Sequence, residues 1–117
     1  MDINIDKQSK AVIVAVKGRM DAVSAPEFQS TMADYIAAGE NRFVVDCSDL
    51  EYISSAGLRS VFKARRAMEA KRGTLLLVNV QPQVQKVFDI VKALPSNSVF
   101  KTVAELDQYL DYMQRKV

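Results

Sequence analysis

The chain has 117 residues, of which 49% are hydrophobic and 26% charged, and its formal net charge is +2. This length suits one domain that buries roughly 65% of its unfolded surface, and so balanced a charge gives no reason to expect nucleic acid or an anionic membrane as partner. Histidine is absent and cysteine occurs once, at Cys47, which excludes a Ser-His-Asp triad, histidine metal ligands, a cysteine metal cluster and a disulfide within the chain.

The start, Met-Asp-Ile-Asn-Ile-Asp, lacks the basic residues and apolar run of a secretory signal. No apolar stretch is long enough to span a bilayer, so a cytoplasmic protein is expected. Ile3 to Ile5 alternates with polar residues and reads as a half-buried strand. Ala11 to Val16 is a continuous apolar run and reads as a buried strand. Gln8-Ser9-Lys10 forms the turn of the resulting hairpin, and Gly18 is expected to end its second strand. Ser24-Ala25-Pro26-Glu27 has the spacing of a capping box, with proline in the first helical turn. Phe28, Met32, Tyr35 and Ile36 then give one apolar face, and Gly39 a stop.

Phe43-Val44-Val45 reads as a third strand that breaks at Asp46. The polar stretch from Asp46 to Gly57 reads as a loop, in which Asp46 and Asp49 could satisfy backbone donors. A helix follows from about Ala56 to Lys71. Leu58, Val61, Phe62 and Met68 face its core, and Arg59, Lys63 and Arg66 share another face. Gly73 ends this helix, and Thr74 to Val80 is a fourth strand. Pro82 opens a helix with Val84, Val87, Phe88 and Val91 inward. Leu94 to Ser98 reads as a loop and Val99-Phe100 as a short edge strand. A second capping box at Thr102 to Glu105 starts a last helix, with Leu106, Tyr109, Leu110 and Met113 inward. The order ββαβαβαβα predicts one α/β domain over 1–117, with about four helices on a mixed, mostly parallel sheet of about five strands.

The junction before the second long helix carries the most chemical information. Ser54 and Ser55 stand at a helix start, where unpaired N–H groups and the helix dipole favour an anion. Gly57 follows in the first turn, where a missing side chain permits close approach of a backbone or a phosphate. A serine in this position is also an ordinary N-cap, and spacing alone does not separate the two roles.

Tyr52-Ile53-Ser54-Ser55-Ala56-Gly57-Leu58-Arg59, preceded by Val45 to Leu50, resembles the signature of anti-sigma factor antagonists, the single-domain bacterial members of the STAS family. Gly18 to Glu27 resembles the same family's segment after the second strand. The likeness implies a partner switch. The unmodified antagonist binds an anti-sigma factor that is an ATP-dependent serine kinase, and so frees the sigma factor. Phosphorylation of a serine at the helix head ends binding, and a metal-dependent serine phosphatase resets it. Laid on this chain, the acceptor is Ser55, presented outward, with Ser54 as the rival. Ser54 stands where the family usually has an acidic residue, and Ala56 where it has a second hydroxyl. The implied partner surface comprises Asp21, Ser54, Ser55, Ala56, Gly57 and Arg59. A monomer or weak dimer is expected, with no catalytic residue, cofactor or metal.

Other readings stay open. Asp21 could be a solvated turn residue, and Arg59, Lys63 and Arg66 a solvated stripe rather than a contact for an acidic partner. The client could be a transporter complex or a non-transcriptional switch. A serine hydrolase or phosphotransferase lacks a base near Ser55, since histidine is absent and the loop holds no lysine. A nucleotide module could use Arg59 and the helix start, but there is no Gly-rich phosphate loop.

Overall fold

The computed structural model describes residues 1–93 and 103–115. Its elements are β1 (Asp2–Lys7), β2 (Val12–Met20), α1 (Ala25–Ala37), β3 (Arg42–Ile53), α2 (Ser55–Ala70), β4 (Thr74–Val78), α3 (Pro82–Ala93) and α4 (Val103–Arg115). The strands form one sheet in the order β1-β2-β3-β4. β1 and β2 are an antiparallel hairpin closed by a bond from the Gln8 amide to the Ala11 carbonyl. β2, β3 and β4 run parallel, as strands joined by helical crossovers must. The mixed, mostly parallel α/β sheet expected from sequence is therefore present. The fifth strand expected at Val99-Phe100, the loop before it and the Thr102 capping box lie outside the described residues.

Paired residues share a face, so Ile3, Ile5, Val12, Val14, Val16, Phe43, Val45, Leu75 and Leu77 line one side of the sheet. Phe28 and Met32 of α1 and Leu58, Val61, Ala64 and Met68 of α2 close over that side to form the core. The opposite side carries Leu76, which is 53% exposed.

Several boundaries differ from the expectations, each for a physical reason. Gly18 does not end β2. It lies inside the strand at φ +97 and adjoins a register shift between Gly18 and Arg19. Asp46 does not break β3, which continues to Ile53. The polar residues that suggested a loop are taken up as two irregularities: Ala15 pairs Asp46 while Lys17 pairs Asp49, and Gly18 pairs Leu50 while Arg19 pairs Tyr52. Each adds a residue to β3 and slips its alternation, so Cys47, Leu50 and Ile53 all point inward. The bulge at Asp46 is stabilised by its own carboxylate, which accepts from the Ser48 amide at 3.1 Å. β4 stops at Val78, two residues short of the expected end.

Beyond Asp46, β3 has no β4 beside it, because that pairing covers only Arg42 to Asp46. Glutamines cover the bare edge. Gln81 donates to the Ser48 carbonyl, and Gln83 to the Glu51 carbonyl at 3.2 Å. Gln114 of α4 accepts from the Ile53 amide at 3.0 Å and donates to the Ile53 carbonyl at 2.8 Å. The Ile53 groups are buried and must be paired; the Ser48 and Glu51 carbonyls lie at the exposed part of the edge.

Candidate functional site

Met20 and Ile53 end β2 and β3 as paired residues, and the Ser54 amide continues the ladder to the Met20 carbonyl at 2.9 Å. The loop holding Asp21 and the head of α2 holding Ser54 and Ser55 therefore leave the sheet side by side. Parallel strands feeding helices put their loops at one sheet end, where α/β domains build sites.

Ser54 is the N-cap of α2. Its backbone is extended and its hydroxyl accepts from the Gly57 amide. Gly57 is required by close approach. A Cβ there would lie 2.5 Å from the Met20 carbonyl oxygen and 2.8 Å from the Ile53 side chain. Sequence allowed either a backbone or a phosphate against this glycine, and a backbone is what meets it.

The β2–α1 loop is held differently from the expected capping box. Ser24 makes no side-chain cap bond to α1. Its hydroxyl donates to the Arg19 carbonyl at 2.7 Å and accepts from the Asp21 amide at 3.0 Å. Asp21 closes the turn before α1, its carboxylate accepting from the amides of Val23 and Ser24. Burial alone would raise the Asp21 pKa; the Ser24 and Val23 bonds, with the Arg19 charge, outweigh it and hold the carboxyl below its usual range. Arg19 stacks its guanidinium 3.8 Å from the Tyr52 ring centre and reaches toward Asp21.

Ser55 is not presented outward. It is 7% exposed, and its Oγ is buried with no hydrogen-bond partner. The cover is α4. Asp107 accepts from the Ser55 amide at 2.9 Å, Leu110 is fully buried, and Gln114, 6% exposed, clamps Ile53. Residues 107, 110 and 114 form one stripe of the helix. The inward face expected for α4 is thus corrected. Tyr109 lies at the surface, two polar residues face inward, and Leu106 lies outside the residues whose side chains are described. Tyr52 also faces α4, and burial, followed by the charge of Asp111, raises its phenol pKa.

Sequence reasoning missed Asp107 and Gln114, because polar residues on a helix carry no apolar periodicity that would mark them as inward. Ala56 is half-buried, while Arg59, Lys63 and Arg66 are exposed along α2. Asp46 satisfies a backbone donor as foreseen; Asp49 is exposed on the strand. Among the described residues no group of His, Cys, Asp and Glu could hold a metal ion, and no helix is long and apolar enough to cross a membrane.

Comparison with known proteins places this fold in a family. Residues 2–106 match the STAS domain family. A relative from Bordetella bronchiseptica bearing the name anti-sigma factor antagonist BtrV is 33% identical over 90 residues, which cover 77% of this chain and 78% of that protein. The fold is similar to the anti-sigma factor antagonist SpoIIAA in its unphosphorylated form, with TM-score 0.66 and 19% identity over 94% of this chain and 98% of the other. It is also similar to an anti-sigma factor antagonist from Mycobacterium paratuberculosis, with TM-score 0.69 and 17% identity over 94% and 93% of the two chains. The chain belongs to the STAS domain family, among its anti-sigma factor antagonists.

Proposed function

We propose that this STAS domain is the antagonist of a cytoplasmic partner switch. Unmodified, it binds an anti-sigma factor serine kinase and releases the sigma factor. Phosphorylation of Ser55 ends that binding, and a metal-dependent serine phosphatase restores it. The observation that carries the reading is the pair of serines at the head of α2, set beside the Asp21 loop in a chain of this family. The division of labour between the two hydroxyls supports Ser55 over Ser54: the Ser54 hydroxyl is engaged as a cap, whereas the Ser55 Oγ has no partner.

In the transfer, a P–O bond forms between Ser55 Oγ and the γ-phosphorus of ATP as the bond to ADP breaks, and the hydroxyl proton passes to a base of the kinase. The product carries about −1.5 to −2 charge. The positive end of α2 tolerates that charge, so the core survives. A partner docked on the uncharged head of α2 does not tolerate it; a hundredfold loss of affinity requires only about 2.7 kcal/mol. Asp21 and Arg59 flank the contact.

Phosphopeptide mapping after incubation with ATP and host lysate tests the site. Ser55→Ala is expected to abolish the phosphate and keep kinase binding, and Ser55→Asp to fold and bind at least tenfold more weakly. Phosphate found elsewhere on the chain refutes the assignment.

A further inference from the structure

Two facts about Ser55 stand in tension. A phosphate acceptor must be reached by a second protein, yet its Oγ is buried without a partner. Beside it lies α4, an amphipathic helix that packs against α3, puts Leu110 in the core and reaches the head of α2 through polar side chains. Asp107 places a carboxylate on the Ser55 amide at 2.9 Å, the kind of donor that an anion at a helix start would use. Seven residues on, Gln114 pairs both backbone groups of Ile53, and Leu110, between them in sequence, is buried in the core.

We propose that α4 is a latch over the acceptor serine, docked through Asp107 and Gln114 in the unmodified chain and released when Ser55 is phosphorylated. The trigger rests on the function proposed above; the docking itself does not. A phosphoryl group adds three strong acceptor oxygens and about −1.5 to −2 charge, where the structure shows a closed space and a carboxylate on the nearest amide. Phosphate and Asp107 cannot share that amide, since like charges in a part-buried place repel. The phosphate takes the helix end, Asp107 leaves, and the stripe it anchors leaves with it. Conversely, a kinase reaches Oγ only in molecules whose α4 is undocked. The phosphorylation rate therefore scales with the undocked fraction, and whatever binds α4 sets how readily the switch is thrown.

Thiol accessibility tests the docking without any kinase. Ser55→Cys in the full chain is treated with 5,5′-dithiobis(2-nitrobenzoate), and the native chain, whose Cys47 is buried, supplies the blank. Cys at 55 is expected to react at least tenfold more slowly than in the urea-unfolded chain. Adding Asp107→Ala, or separately Gln114→Ala, is expected to raise the folded-state rate at least tenfold, with circular dichroism confirming the fold. Equal rates folded and unfolded, or rates unmoved by both substitutions, overturn the latch. Hydrogen exchange tests the release. Residues 107–115 are expected to exchange at least tenfold faster in Ser55→Glu and in the chain phosphorylated on Ser55, and unchanged protection in both overturns it. If mapping finds no phosphate on Ser55, the proposed function fails, while the thiol and Ser55→Glu measurements still decide the latch.

Discussion

The carboxylate of Asp21 accepts from the Val23 and Ser24 amides, so removing it frees two donors in the turn before α1. Asp21→Ala is expected to cost about 1 kcal/mol in urea unfolding at neutral pH, the order of a lost hydrogen bond. Because the folded-state pKa is depressed, the charge-dependent part of this stability is present above the ordinary aspartate value of about 4 and fades as pH falls through the folded-state value. A gap between native chain and variant that stayed constant into strong acid would remove the ionised carboxylate from the explanation. The Ser54-Ser55 pair could be found in sequence because capping is local, a matter of three or four residues. Asp107 could not, since an aspartate in a helix reads as solvated until another element, 52 residues away, supplies the amide it accepts from.

At the scale of elements, β3 is the instructive case. Its first half was legible, because Phe43 to Val45 is a plain apolar run between paired neighbours. Its second half was not. Aspartate and serine favour turns by local bonding, and the Asp46–Ser48 bond does form, but inside a strand whose other edge is completed by side chains from α4 and from the start of α3. Gln114→Leu preserves much of the volume and strands the Ile53 amide and carbonyl in a buried place, so a loss of about 2–3 kcal/mol is expected in denaturant unfolding. A loss below a few tenths would mean that water or another group satisfies Ile53. The junction after β3 offers an opposite-signed test. Alanine exceeds glycine in helix propensity by about 1 kcal/mol, yet at Gly57 its Cβ would press on the Met20 carbonyl oxygen at 2.5 Å. Gly57→Ala is expected to destabilise by about 1–3 kcal/mol, and any stabilisation would refute the crowding.

For the molecule as a whole, the alternation of strands and helices was enough to predict the parallel crossovers, because handedness and short connections leave few arrangements. How firmly each part is held is a separate matter. The sheet with α1 and α2 forms the bulk of the core, which α4 joins through Leu110; α4 otherwise packs against α3 and reaches the head of α2 and the end of β3 through Asp107 and Gln114. Cys47 reports on the first part. It is 2% exposed on β3, and burial, followed by the Asp46 charge, pushes its pKa up to about 11. Thiolate is the reactive form, so native-state labelling at pH 8 is expected only through opening of the core, with a free energy equal to that from urea unfolding. Asp107→Ala should leave the Cys47 labelling rate within about threefold of the native chain's while it loosens α4, because local opening need not disturb a core governed by the global term. Equal acceleration at Cys47 and α4 would mean that the two open together, and that exposing the serine requires unfolding the domain.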